Sequence, residues 1–270
     1  MKRQNTLKPV RFDDTADRAP SVARPVRSRA RSLGMDAQVE PHRHPWTQLT
    51  YCARGLMQVT VAQSSLQTTF IIPPSRAVWI PPGVQHTVTV LEAAELRTVD
   101  VHASMTPLGW DACRVLVVSR LMRELIHALE VSQPGARDDA LMALTMDEIR
   151  HADIQALGVP LPRDKRLRAL CEAVLRAPGE RATLSEWAVD IGASERTVAR
   201  LFRTELATSY QQWRQQAILA HALPMLARGT PISEVAAASG YNSDSAFSAM
   251  FKSAMGQSPS HFQYKMGSSP

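Results

Sequence analysis

Arg196, Arg200 and Arg203 are the residues best placed to do chemistry in this 270-residue chain. At about 100° per residue they cluster on one side of a helix while Val198, Leu201 and Phe202 fall on the other. One face packs, and the other presents guanidinium groups to an anion. Ser194 precedes them, where its hydroxyl can accept from early backbone N–H groups. Gly192 suits the tight turn that would lead into such a helix. A short capped helix with a basic outer face, carried on a tight turn, is the form that enters a DNA major groove. A plain helical bundle with solvated arginines has the same pattern, so one copy does not decide between them.

The pattern occurs twice. Leu184, Ser185, Glu186, Ala188 and Gly192 align with Ile232, Ser233, Glu234, Ala236 and Gly240 at an offset of 48. Past the turn the offset becomes 49, and Ser194, Val198, Leu201, Phe202 and Arg203 fall on Ser243, Phe247, Met250, Phe251 and Lys252. A duplicated unit of this size favours the DNA reading over the plain bundle.

Residues 163–267 resemble the AraC/XylS DNA-binding domain, carried by SERTVARLFRTEL, SYQQWRQQ and GYNSDSAFSAMFKSAMGQSPSHF. The last stretch is the most specific, with Gly240, Tyr241, Ser243, Ser245, Phe247, Phe251, Lys252, Gly256 and Pro259 on the family pattern. The resemblance implies seven helices, two helix-turn-helix units on a long linking helix, and contact with successive major grooves roughly 34 Å apart. It places base reading at Arg196, Ala199 and Arg200 in the first unit and at Asp244, Ser245, Ser248 and Ala249 in the second. Ser194, Thr197, Arg203, Asn242 and Lys252 complete the expected DNA surface. Arginine can bond guanine in two places and Ser or Ala cannot. The first unit should therefore supply most direct readout, and Lys252 should position the second.

Three residues depart from the family pattern. Ala207 stands where a helix-ending Gly is usual, so a non-Gly residue is expected in the left-handed region. Ile218 replaces a common Arg of the linking helix. Pro224 lies inside that helix, lacks an N–H and predicts a kink or an end near Ala220.

Charge is unevenly spread around the net +6. Residues 1–31 hold nine Lys and Arg against three Asp, residues 32–162 nine against thirteen acids, and residues 163–270 thirteen against nine. An acidic middle beside a basic end suits a DNA reader joined to a module that avoids DNA. The Arg- and Pro-rich segment 1–31 has no evident hydrophobic period and reads as a disordered basic tail. Cys52, Cys113 and Cys171 are far apart and odd in number, which argues against a disulfide framework or a CxxC metal site. No apolar run approaches the ~20 residues that span a bilayer, and no signal-like apolar core follows the N-terminus. These features fit a cytoplasmic protein without a membrane partner.

From Thr47 to Ala103 the period falls to two, in MQVTV, TTFII, AVWI, HTVTV and LRTVDV, which implies a sandwich or barrel. Pro73, Pro74, Pro81 and Pro82 mark turns or edges. Between them Trp79 and Ile80 alternate, so one should line the interior, and Trp79 is the candidate wall of an effector pocket. PHRHPWTQLTYCARG and PPGVQH resemble the two cupin motifs, with His42, His44, Gln48 and Gly55 in the first and Pro81, Gly83 and His86 in the second. That resemblance implies a divalent ion such as Zn²⁺, Fe²⁺ or Ni²⁺ held by His42, His44 and His86, with Gln48 where a carboxylate is usual. Consistent with this, His42 and His44 share one face of a strand. The same four residues are equally readable as remnants hydrogen-bonded in a pocket for an organic effector. His102, His127, His151, His221 and His261 have no such spacing.

Ser119 can cap a helix to Val131 with Leu121, Met122, Leu125, Ile126 and Leu129 on one side. A second helix from about Arg137 to Ala152 carries Leu141, Leu144 and Ile149. Both can pack on the barrel or form a dimer interface, and GVPLPR (158–163) reads as a linker.

The expected architecture is α+β. It comprises a cupin-like sensory domain (32–112), a helical dimerisation or packing segment (113–157), the linker, and an all-α DNA-binding domain (164–267). The expected function is a homodimeric transcription regulator binding double-stranded operator DNA and a small-molecule or metal effector, with RNA polymerase a partner if it activates. The alternatives are a metal-dependent cupin enzyme fused to a DNA-binding domain and a constitutive DNA binder with an inert cupin.

Overall fold

The computed structural model describes residues 7–11, 19–63, 66–155, 157–180 and 183–267. The chain forms two compact units, residues 1–62 with 70–156 and residues 63–69 with 157–270.

The first unit is rich in sheet. Its strands include β1 (Lys8–Val10), β2 (Val26–Leu33), β3 (Ala37–His42), β4 (Thr47–Gln63), β5 (Leu66–Ile72) and β6 (Arg76–Ile80). They are followed by β7 (Gln85–Val101), β8 (Arg114–Val117) and β9 (Ile154–Gln155). The hydrogen-bonded order is β1-β3-β7-β4-β6-β8-β9, with β2 on β7 and β5 on β4. The spine is the antiparallel pair β4 and β7, each 17 residues long. Their register slips between Cys52 and Met57. Gly55 occupies that slip with φ +83°, and a Cβ there would lie 2.1 Å from the Ala93 carbonyl oxygen, so the bend requires glycine.

Alternation assigns the faces of the sheet. Leu49, Tyr51, Ala77, Trp79, Val99 and Val101 share a core with Met122, Ile126, Met146 and Ile149, which belong to α1 (Arg120–Val131) and α2 (Ala136–His151). Gln48, Thr50, Ile80 and Asp100 point the other way and are also buried. Trp79 is therefore packed under the helices and is not a wall of the interior. Its Nε1 donates to the Trp110 carbonyl at 3.3 Å, and Ile80 takes the inward position.

The basic start is not a disordered tail throughout. β2 pairs with β7 from Val26↔Val101 to Leu33↔Ala94, and β1 runs parallel to β3. Arg27, Arg29 and Arg31 alternate with Ser28, Ala30 and Ser32, so long cationic side chains masked a period of two. Residues 1–6 and 12–18, also assigned to the tail, lie outside the described residues.

Ser119 caps α1 as expected, its hydroxyl accepting from the Met122 N–H at 2.9 Å. Leu121, however, is 52% exposed. In α2 the buried stripe is Met142, Thr145, Met146 and Ile149, whereas Leu144 is 50% exposed. The rotation follows from Asp138, which is buried and paired with Arg24 at 2.9 Å. A buried carboxylate needs its partner, and the leucine yields.

Among the described residues the second unit has seven helices. They are α3 (Lys165–Arg176), α4 (Leu184–Asp190), α5 (Glu195–Leu206), α6 (Tyr210–Ala227), α7 (Ile232–Ala238), α8 (Asp244–Met255) and α9 (Pro259–Gly267). The expected linker begins instead as a strand, β10 (Gly158–Leu161). Trp213 holds it, Nε1 donating to the Pro160 carbonyl at 2.8 Å. Nor does α6 end near Ala220, because it continues through Pro224. The proline sits in the last turn, where buried Leu223 and Leu226 hold the helix on the core.

Candidate functional site

Both turn-following helices are built on one plan. Ser194 accepts from the Thr197 N–H and Ser243 from the Ala246 N–H, each at 3.2 Å. Val198, Phe202 and Leu206 are buried in α5, and Phe247, Phe251 and Met255 in α8. These are the same positions at the offset of 49. Both helices end on a left-handed residue, Ala207 at φ 50° and Gly256 at φ 72°.

The outer faces differ. Arg196, Arg200 and Arg203 are exposed beside half-buried Thr197 and Ala199. On α8 the exposed residues include Asp244, Ser245, Ala249 and Lys252, with exposed Asn242 before the helix and Ser248 half-buried. Ser194 also hydrogen-bonds the Thr197 hydroxyl at 2.9 Å, so its first role is to cap. Asp244 suits the positive end of its own helix but repels phosphate.

In the first unit, His42 and His86 face each other across β3 and β7, and His44 follows two residues later. Ring centroids lie 4.2 Å apart for His42 and His86, 5.1 Å for His44 and His86, and 6.0 Å for His42 and His44. One ligand nitrogen from each falls within 4.8 Å of the others. Each Nδ1 meets a main-chain carbonyl, His42 that of Glu40 at 2.8 Å, His44 that of Trp46 at 2.8 Å and His86 that of Val84 at 3.0 Å. A carbonyl only accepts, so Nδ1 carries the proton and Nε2 keeps its lone pair. The His86 Nε2 is buried without a hydrogen-bond partner. Burial also pushes the His86 imidazole down to about 3, which leaves it neutral near pH 7. Three imidazoles with fixed tautomers form a donor set that fits a divalent transition metal.

Gln48, expected as the fourth ligand, is engaged elsewhere. Its Nε2 donates to Asp100 Oδ1 at 2.9 Å, and its Oε1 accepts from the Thr50 hydroxyl at 3.1 Å. Asp100 is fully buried and paired with Arg29, and a buried carboxylate requires such donors. Sequence reasoning missed Trp46, which stacks on His44 with centroids 5.0 Å apart and planes 3° from parallel. Its position within the first motif was the available signal. Asp100 and Arg29 had a weaker one, an acid within the apolar end of β7 and one of three alternating arginines in β2.

Among the described residues the other histidines join no comparable cluster. The three cysteines are free. No helix among the described residues is long and apolar enough to cross a membrane.

Comparison with known proteins finds a match for each part of the chain. An AraC-like ligand-binding domain matches residues 28–146 and a helix-turn-helix domain matches residues 187–265. The HTH-type transcriptional regulator NimR of Escherichia coli K12 is 34% identical over 236 residues, which is 85% of this chain and 84% of that protein. The regulator RipA of Corynebacterium glutamicum is 32% identical over 112 residues, 40% of this chain and 34% of its own. Among solved structures, ToxT of Vibrio cholerae aligns over 91% of this chain and 99% of its own, with 11% identity and a TM-score of 0.39.

Proposed function

Because the chain belongs to the AraC family of transcriptional regulators, with an effector-binding domain and a helix-turn-helix DNA-binding domain, we propose that it is a metal-dependent sensor. It acts as a cytoplasmic homodimer on a double-stranded operator, and recruits RNA polymerase where it activates.

The observation that carries this reading is the set of three Nδ1-to-carbonyl contacts on His42, His44 and His86. Backbone carbonyls engage Nδ1 of all three rings, so a metal would be held through Nε2 of each. Bound there by these three residues, Zn²⁺, Fe²⁺ or Ni²⁺ would offer a Lewis-acid position for an oxygen or nitrogen of a small-molecule effector. Trp46 stiffens the site by stacking on His44. The effector controls transcription only through different affinity for two arrangements of the protein.

We read this domain as a sensor and not a catalyst, because Asp100, the buried carboxylate that holds Gln48, is also paired with Arg29. On the DNA side, Arg196 and Arg200 supply most base discrimination, with Arg203 and Lys252 on the backbone.

The deciding experiment is metal analysis of the full-length protein purified without added metal, beside the His42→Ala/His44→Ala double variant. Wild type should carry about one ion per chain by three-ligand stoichiometry. The variant should lose both the ion and the response to inducer while keeping its affinity for DNA without inducer. A metal-free wild type that is fully inducible would sink the metal sensor. Equal loss of induction and DNA affinity would sink the sensory role of the histidines.

A further inference from the structure

The two helix-turn-helix units touch backbone to backbone, and we propose that this joint, Gly179 against Gly240 under Arg214, sets the operator spacing that the protein accepts. Gly179 lies between α3 and α4 in the first unit, and Gly240 in the turn between α7 and α8 in the second. A Cβ on Gly179 would stand 2.6 Å from the Ala238 carbonyl oxygen and 2.7 Å from the Gly240 nitrogen. A Cβ on Gly240 would stand 2.9 Å from the Gly179 Cα. Such separations leave no room for a side chain on either residue.

The two glycines differ in what else demands them. Gly240 has φ +80°, so its own turn favours glycine. Gly179 is not among the residues of positive φ, so its own backbone conformation does not demand glycine. What it accommodates is the other unit.

Arg214 of α6 locks the contact. Its guanidinium donates to the Pro178 carbonyl at 3.0 Å, and the same nitrogen would lie 3.2 Å from a Cβ on Gly240. The linking helix thus pins the first unit's loop against the second unit's turn. Beside the joint is a cavity of about 460 Å³, bordered by Leu184, Arg214, Ile218, Tyr241 and Met250. The backbone contact and the arginine adjoin this open space, and share the alignment with α6, which packs on α3 and on α7 and α9. Gly240 lies four residues before α8 begins, so a displacement at the joint is carried directly into the second reading helix.

This inference rests on the reading that both units engage DNA together. Footprinting the region beside the protein's own gene with wild type tests that premise first, since protection of a single box would overturn the two-unit reading itself. With two boxes located, Gly179→Ala in the full-length chain is titrated on DNA with zero, one or two base pairs inserted or removed between them. The expected result is a loss of at least about tenfold at the native spacing, from failure of simultaneous engagement. Affinity should partly return at a shifted spacing and stay unchanged on a probe holding the first box alone. Wild-type affinity and spacing preference, or an equal fall on the single-box probe, would overturn the proposal. Arg214→Gln removes the lock without adding a side chain at the contact, and decides the matter if Gly179→Ala loses its thermal unfolding transition. It should accept a broader range of spacings than wild type, and an unchanged range would count against the joint.

Discussion

In the first helix-turn-helix unit Val198 and Phe202 are buried while three arginines face out; in the second Phe247 and Phe251 are buried while Ser245, Ala249 and Lys252 face out. The serine caps correspond, and so do the left-handed residues that end each helix. Core and caps are thus shared, and the chemistry offered to DNA is not. Residues that fold a unit and residues that give it a task occupy opposite sides of the same helix.

The sharpest way to break this contrast is to exchange the outer residues for alanine. Arg200→Ala should cost about 1 to 3 kcal/mol of discrimination at one base position, and Ser245→Ala much less. Fluorescence anisotropy on operators mutated base by base checks this, and a larger loss for Ser245→Ala would reverse the assignment. The shared scaffold predicts the opposite behaviour at the caps. Ser194→Ala and Ser243→Ala should each destabilise by about 1 kcal/mol and by nearly equal amounts, as read from denaturant unfolding. A strong inequality would mean that the two scaffolds are not equivalent. Ala207→Gly should stabilise by about 0.5 to 1 kcal/mol, since it removes left-handed strain at some entropic cost. The corresponding second-unit residue, Gly256, already has this relief. Smallest of all, Lys252→Ala should weaken binding alike on specific and random DNA and flatten the salt dependence by about one phosphate contact. A sequence-dependent loss would make Lys252 a base reader.

Much of the molecule was legible in the sequence because period and spacing report what a helix or strand buries. The duplicated unit and its serine caps follow from local rules, and the left-handed Ala207 and the histidine set follow from what the family resemblances imply. The failures have another cause. Trp79 and Ile80 alternate, but alternation does not say which face meets a second layer, and α1 and α2 settle that. Gln48 fits a ligand spacing, but Asp100, 52 residues away, competes for it. β2 was hidden because arginine stems tolerate partial burial while their heads remain polar. Pro224 is tolerated because tertiary packing outweighs propensity in the last turn of a buried helix. Each of these concerns a partner distant in sequence, whereas the missed Trp46 has its partner His44 two residues away.

The small residues on the outer face of α8 have a consequence for how such a regulator changes over generations. Ser245 and Ala249 project away from Phe247, Phe251 and Met255, which carry the packing of the helix. On the proposed reading, in which both units meet DNA, replacing either would alter which sequence the protein addresses without asking the fold to readjust. With the first unit retaining its proposed hold on DNA, the second would be free to drift, and a new set of target genes would lie within one or two codon changes.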